Sequence, residues 1–279
     1  MEKQEKQNST RHTPATTQAE QADIHILYEE SVQSIEAEID FVDRTFKNLR
    51  RRNAVTLRED FCGTMNTSCE WVRRRKSNIA WCVDINKEVL AWGKDHNISK
   101  LTKMQKARIN IVNGDVLTAK NPPVDMVLAM NFSYWVFKSR QDMTNYYRRI
   151  HDCLVDDGVL FLDSFGGYEA FREKTESTKC KGYTYIWDQD KYNPITGEGL
   201  FHIHFKFNDG SKIRNAFTYD WRVWTLPEIT EMLSDTGFKP AVYWEGTGNN
   251  GKGNGVFTRC TKGEADAGWI AYIVAEKQG

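Results

Sequence analysis

The sequence predicts an α/β domain built on a doubly wound, seven-stranded, mostly parallel sheet, with an antiparallel β insertion after the fifth strand. Three observations carry this. Short apolar runs alternate with amphipathic stretches from residue 55 to residue 163, the pattern of strands and crossover helices in a parallel sheet. The run at 124–130 is apolar at every position but Asp125, as strands buried on both faces tend to be. Beyond residue 182 the period changes to two around an Asn208-Asp209-Gly210 turn, which reads as antiparallel hairpins.

The elements follow in order. Residues 1–22 are Gln-, Thr- and Glu-rich with no apolar stretch and read as a disordered tail. Residues 23–276 form one domain. It opens with a helical cap over 23–50, where Ile35, Ile39, Val42 and Phe46 share one helix face. Strands are predicted at 55–60, 79–84, 109–112, 124–130 and 159–163. Helices are predicted at 67–74, 87–96 and 140–154. The insertion, 182–224, holds strands at 183–187, 200–207 and 213–224. Thr225, Pro227 and Glu228 then open a helix with a capping box, and Gly237 closes it. Strands at 241–244 and 269–275 complete the sheet.

Composition narrows the function classes. Lys+Arg and Asp+Glu are 38 each, a formal net charge of zero, whereas nucleic-acid binders usually carry a basic excess. The short basic runs at 50–52 and 73–76 read as solvated helix ends. The six cysteines include no Cys-x-x-Cys pair and no zinc spacing, so no metal is expected and the thiols read as reduced, in a cytoplasmic protein. No apolar run is long enough to cross a bilayer. Nine Trp suggest an aromatic-lined pocket.

In a doubly wound sheet, ligands bind beyond the carboxyl ends of the central strands. The first strand ends Glu59-Asp60-Phe61-Cys62-Gly63-Thr64-Met65, and the second ends at Asp84, 21 residues after Gly63. An acid there can accept hydrogen bonds from both hydroxyls of a ribose. With Asn113-Gly114-Asp115-Val116 after the third strand, these segments resemble the class I S-adenosylmethionine-dependent methyltransferases, in their small-molecule branch. The resemblance spans 23–276 and implies the Rossmann-like methyltransferase fold. Phe61 and Met65 stand at two of the family's three glycine positions.

The resemblance assigns residues to S-adenosyl-L-methionine. Glu59, Gly63 and Thr64 would hold the methionine part, Asp84 and Ile85 the ribose, and Asp115 and Val116 the adenine. Asn131 and Ser133, after the fourth strand, would lie near the methyl group. Tyr28 would close over the cofactor from the N-terminal helix. A second glycine cluster, Gly246 to Gly253, matches phosphate-loop spacing but lacks the Ser or Thr and the helix such a loop needs; 246–268 reads as a loop that could act as a lid.

Methyl transfer needs an aligned lone pair and excluded water more than a strong base. Candidate acceptor contacts are Tyr134, Trp135, Trp187, His202, His204, Arg214 and Tyr219. His202, His204 and Tyr28 are the candidates for a catalytic part. The expected activity is methylation of a small-molecule acceptor, foremost at an amine nitrogen. Thioether or oxygen methylation, RNA methylation, and a non-catalytic cofactor-binding regulatory subunit are the alternatives. No nucleic acid or membrane partner is expected, and the oligomeric state is open.

Overall fold

Residues 16–248 and 253–279 are described by a computed structural model. After α1 (Gln18–Gln21), α2 (Ile24–Val32) and α3 (Ile35–Arg50) come five βα-type strands: β1 (Thr56–Asp60), β2 (Ile79–Asp84), β3 (Ile109–Asn113), β4 (Val124–Ala129) and β5 (Leu154–Gly166). Between them lie α4 (Asn66–Arg74), α5 (Lys87–His96), the single turn α6 (Lys103–Lys106) and α7 (Arg140–Cys153). A four-stranded insertion follows: β6 (Lys174–Lys179), β7 (Tyr183–Tyr192), β8 (Glu198–Phe207) and β9 (Lys212–Arg222). The chain ends with α8 (Leu226–Asp235), β10 (Phe238–Thr247), β11 (Gly253–Cys260) and β12 (Trp269–Lys277).

The large sheet has the order β11-β10-β12-β5-β4-β1-β2-β3. Neighbours from β3 to β5 pair in parallel, and β12 runs antiparallel to both β5 and β10. The order reverses between β1 and β4, so a crevice opens at their carboxyl ends. The doubly wound fold predicted from the sequence is therefore present. It has eight strands in place of seven, because β11 pairs antiparallel with β10. Part of the expected 246–268 loop is thus a hairpin strand, and 249–252 of that segment lie outside the described residues.

Apolar spacing explains the two layers. One face of the sheet packs on α7 and α8 through Tyr146, Ile150, Ile229 and Leu233. The other packs on α3 and α4 through Ile39, Val42, Phe46 and Trp71. All eight are essentially inaccessible, and each such burial is worth roughly 1.5–3 kcal/mol. Caps fix where the helices start. The predicted capping box of Thr225 and Glu228 is formed at α8, and Asp23 caps α2 by accepting from the His25 and Ile26 N–H groups.

The insertion is antiparallel throughout, with the order β6-β7-β8-β9. It begins at Lys174, earlier than the predicted 182, because β6 is an additional edge strand. The N-terminal residues 1–15 of the expected tail lie outside the described residues. Residues 18–21 are helical, not tail-like. Thr17 and Glu20 form a capping box, and α1 docks on the β8–β9 turn, where the Gln18 and Ala19 N–H groups donate to Asp209 and Ser211.

Candidate functional site

The turn after β1 is held by its flanking elements. Asp84, ending β2, accepts from the Gly63 N–H (2.8 Å) and from the Asn86 N–H (2.8 Å). Thr64 donates its hydroxyl to Glu29 on α2 (2.5 Å), and Asn97 donates to the same carboxylate oxygen (2.7 Å). Phe61, Gly63 and Met65 all have positive φ, at 55°, 50° and 61°. The two side chains that replace glycine keep the left-handed backbone a glycine turn requires. They are paid for by packing: Phe61 meets Phe137 and Tyr146, and Met65 is fully buried.

Glu59 is buried one residue before the end of β1. It accepts from the Ser68 N–H (3.0 Å) and hydroxyl (2.5 Å), at the start of α4. Burial raises its carboxyl to about 7 despite these donors. Beside it, Asp60 accepts from Arg58 (2.6 Å) and Tyr146 (3.0 Å), a buried ion pair that ties β1 to α7.

These residues open onto a cavity of about 480 Å³. Of the residues assigned to a cofactor, Tyr28, Glu59, Gly63, Thr64, Asp84, Ile85, Asn131 and Ser133 line it. Asp115 and Val116 do not. Asp115 is exposed and turns its carboxylate back onto the Leu117 N–H (2.8 Å), and Val116 is buried, its carbonyl accepting from Arg58.

A second cavity, about 670 Å³, lies between the large sheet and the insertion. Phe132, Phe165, Trp187, Trp221 and Trp269 give it aromatic walls. Glu169, Glu176 and Glu245 also line it, with Lys174, which pairs with Glu169 and Glu176. Tyr28, Asn131, Tyr219 and Trp221 line both cavities, so the two meet there. Tyr28 packs on Phe217 with centroids 4.8 Å apart. Burial pushes its hydroxyl, beside that of Tyr219, up to about 12, so it is a neutral donor at neutral pH. Tyr219 stacks on Trp221 at 4.3 Å.

Of the expected acceptor residues, Trp187 and Tyr219 line the larger cavity. The others lie elsewhere. Tyr134 and Trp135 follow β4 in a tight turn that drives both rings into the core, and both are inaccessible. The Tyr134 hydroxyl donates to the Asp163 carbonyl (2.8 Å). His202 and His204 alternate with Phe201, Ile203 and Phe205, and the apolar set faces inward. The imidazoles lie on the opposite face. His202 bonds Thr218 (2.9 Å), and His204 pairs with Asp188 (3.1 Å) and accepts from the Asn215 N–H. They are therefore not placed to take a proton from an acceptor. Arg214 is exposed and lines neither cavity.

Asp163 had no place in the sequence reading. It sits on β5, buried, and accepts from the Asn131 N–H (2.7 Å) and the Phe132 N–H (2.9 Å). Burial raises it to about 7. Its signal was available: an acid near the end of an apolar strand, the same signal that marked Asp84. Glu29 and Glu245 carried no comparable signal. Among the described residues, no group of three or more His, Cys, Asp or Glu could hold a metal ion. No described helix is long and apolar enough to cross a membrane.

No family model and no curated protein matches the sequence. Solved structures do. An S-adenosylmethionine-dependent methyltransferase from Clostridium acetobutylicum aligns at TM-score 0.70 and 14% identity, covering 91% of this chain and 98% of that one. An amino pentose methyltransferase of calicheamicin biosynthesis from Micromonospora echinaspora, solved with S-adenosylmethionine bound, aligns at 0.65 and 15%, covering 96% and 100%. A sugar N-methyltransferase from Streptoalloteichus aligns at 0.62 and 16%, covering 92% and 94%. The chain has the Rossmann-like fold of these methyltransferases, with an antiparallel insertion after the fifth strand.

Proposed function

We propose that this chain is a methyltransferase that uses S-adenosylmethionine to methylate an amine nitrogen of a small molecule. The observation that carries the reading is the pair of cavities meeting at Tyr28, Asn131, Tyr219 and Trp221. The smaller fits the cofactor in chemistry. Asp84 spends one lone pair of each oxygen on backbone N–H groups, and a carboxylate has about four such sites, so a diol can still be accepted. Glu59 offers a carboxylate to an ammonium, and Ile85, Val89 and Met130 offer apolar surface to a base. When bound there, the cofactor supplies a sulfonium methyl whose C–S bond breaks as the C–N bond forms, the electron pair staying on sulfur.

The protein's own part is positioning and exclusion of water. Aromatic faces at the junction favour a cationic centre without hydrogen-bonding it. The insertion acts as a cap that supplies the acceptor's walls. The three carboxylates against one ammonium in the larger cavity favour a basic acceptor. The relatives whose names include an amino sugar or a sugar N-methyl transfer agree with that preference. The acceptor amine reacts as the free base, and the proton on the product ammonium leaves to solvent, so no strong base is required.

Calorimetric titration with S-adenosylhomocysteine tests the cofactor half. Wild type binds, and Asp84→Ala loses roughly tenfold or more, the scale of lost hydrogen bonds to a charged group. Absence of binding by wild type refutes the reading. Release of S-adenosylhomocysteine is then followed with glucosamine, ethanolamine, putrescine and tyramine, and with a thioether and a phenol. Turnover confined to the thioether or the phenol refutes the nitrogen assignment. Binding with no turnover by any acceptor favours a regulatory subunit.

A further inference from the structure

Gly166 ends β5, Trp269 opens β12, and the two are paired across the strands. A Cβ on Gly166 would stand 2.2 Å from the Trp269 indole, so glycine at this position lets the ring lie over the backbone of β5. Trp244 of β10 packs against the same indole, with centroids 4.9 Å apart. Gly263 in turn leaves room for Trp244, whose ring atoms lie 2.8 Å from where a Cβ would be. The Trp269 indole is thus held from two sides, and it lines the larger cavity. It does so away from the junction of the cavities. Asn131 follows β4, and β5 and β12 come next in the sheet. At the usual strand spacing, Trp269 stands about 10 Å from that junction. Most polar side chains of this cavity are already engaged. Lys174 pairs with Glu169 and Glu176, Glu245 accepts the Gly255 N–H (2.8 Å), and the Gln189 amide donates to the Glu169 and Arg172 carbonyls (2.9 and 2.8 Å). A hydroxyl-rich ring would give up water there and find few free partners. An aromatic ring has no such cost.

We propose that Trp269 is the specificity-determining residue of the acceptor cavity: a planar aromatic ring of the acceptor stacks on its indole while the amine reaches the junction. The inference rests on the amine-methylation reading above and names its substrate class, an arylalkylamine. Ring and chain together span the distance. Ethanolamine, three bonds of about 1.5 Å long, does not. An aromatic pair adds to what burial alone contributes, so the ring brings binding that an aliphatic amine lacks. The indole also limits how far the ring travels, and with it where the nitrogen stops.

The readout is the preference for tyramine over ethanolamine, the ratio of their kcat/KM values in one protein, which a general loss of folded enzyme does not move. Wild type prefers tyramine to ethanolamine, putrescine and glucosamine by roughly tenfold or more, the scale of a single aromatic pair. Trp269→Ala lowers the preference roughly tenfold, through KM for tyramine, and Trp269→Phe recovers most of it. S-adenosylhomocysteine affinity stays within about twofold in both. Gly166→Ala displaces the indole into the cavity and also lowers the preference. The double variant Gly166→Ala/Trp269→Ala has no lower preference than Trp269→Ala alone, because no indole remains to be displaced. An unchanged preference in Trp269→Ala overturns the proposal. So does wild type that uses glucosamine or an aliphatic amine as well as tyramine, which leaves amine methylation standing without the ring. Additive losses in the double variant overturn the part given to Gly166. Wild type that binds no S-adenosylhomocysteine, or methylates no amine, overturns the underlying reading and this proposal with it, and is seen before any variant is made.

Discussion

Gly93 shows how one atom decides the sign of a substitution. It lies inside α5, where alanine would ordinarily stabilise by about 0.5–1 kcal/mol. A Cβ at this position would stand 2.5 Å from the Thr64 carbonyl oxygen and 2.8 Å from the Met65 side chain. The first is backbone of the glycine turn and cannot swing aside. Gly93→Ala therefore lowers the melting temperature and weakens S-adenosylhomocysteine binding together, because the turn must move to admit the methyl. Thermal denaturation and calorimetry check this; unchanged binding in a stabilised variant would sink it. Phe61 and Met65 obey the same logic from the other side. Each holds a backbone that favours glycine, and burial of its side chain offsets the strain. The sequence could show that two glycines were missing. It could not show that the backbone they serve had been kept.

At the scale of the element, α2 joins three parts of the molecule. Asp23 accepts from Trp92 of α5 (2.7 Å), Glu29 holds Thr64 and Asn97, and Ser31 bonds Tyr183 of the insertion (2.8 Å). Glu29→Ala leaves two buried partners of a charged group unmatched, a cost of roughly 1–3 kcal/mol. Affinity for S-adenosylhomocysteine then falls roughly tenfold, and Glu29→Gln, which still accepts, recovers most of it. Equal losses in both variants would argue that the charge, not the tie, matters. The elements also differ in how far the sequence exposed them. Strands β2, β4 and β5 were legible because burial on both faces demands apolar residues. Strands β6 and β11 were not, since they are edges whose residues are mostly exposed, so no period marks them. On β8 the alternation was legible and its direction was not. Spacing placed His202 and His204 on one face, but which face meets the cavity depends on how the insertion folds over the large sheet. Tyr134 and Trp135 failed for a related reason: an aromatic just past a strand suits a pocket or a core, and only the turn between them decides.

Over the whole molecule, buried carboxyls without a cationic partner and carboxyls held by Arg52 pull stability in opposite directions with pH. Glu38, Glu59 and Asp163 are all raised, first by burial, and Glu38 raises the other two further by its charge. Glu59 and Asp163 reach about 7, from ordinary values of 4.5 and 3.8. Between those limits the folded chain holds protons that the unfolded chain has lost. Their contribution is therefore fully present at acid pH and is lost as pH rises through about 7, with a slope of up to about 1.4 kcal/mol per pH unit for each group. Asp125 and Asp157 behave inversely. Their carboxyls are lowered, Asp125 by backbone donors from Thr56 and Val55 and by Arg52 against the cost of burial, Asp157 chiefly by Arg52. They give stability above 3.8 that is lost as pH falls below it. The two windows leave a maximum near pH 4. Urea denaturation at a series of pH values should find stability falling from there to pH 8, with a smaller fall in Glu59→Gln, which cannot ionise. Binding a cationic ligand group beside Glu59 must reverse part of this, since it favours the carboxylate. S-adenosylhomocysteine should then bind more tightly at pH 8 than at pH 6 and release protons as it binds, read as a dependence of the calorimetric enthalpy on the ionisation heat of the buffer. A binding enthalpy independent of buffer, with wild-type pH dependence in Glu59→Gln, would remove Glu59 from both roles.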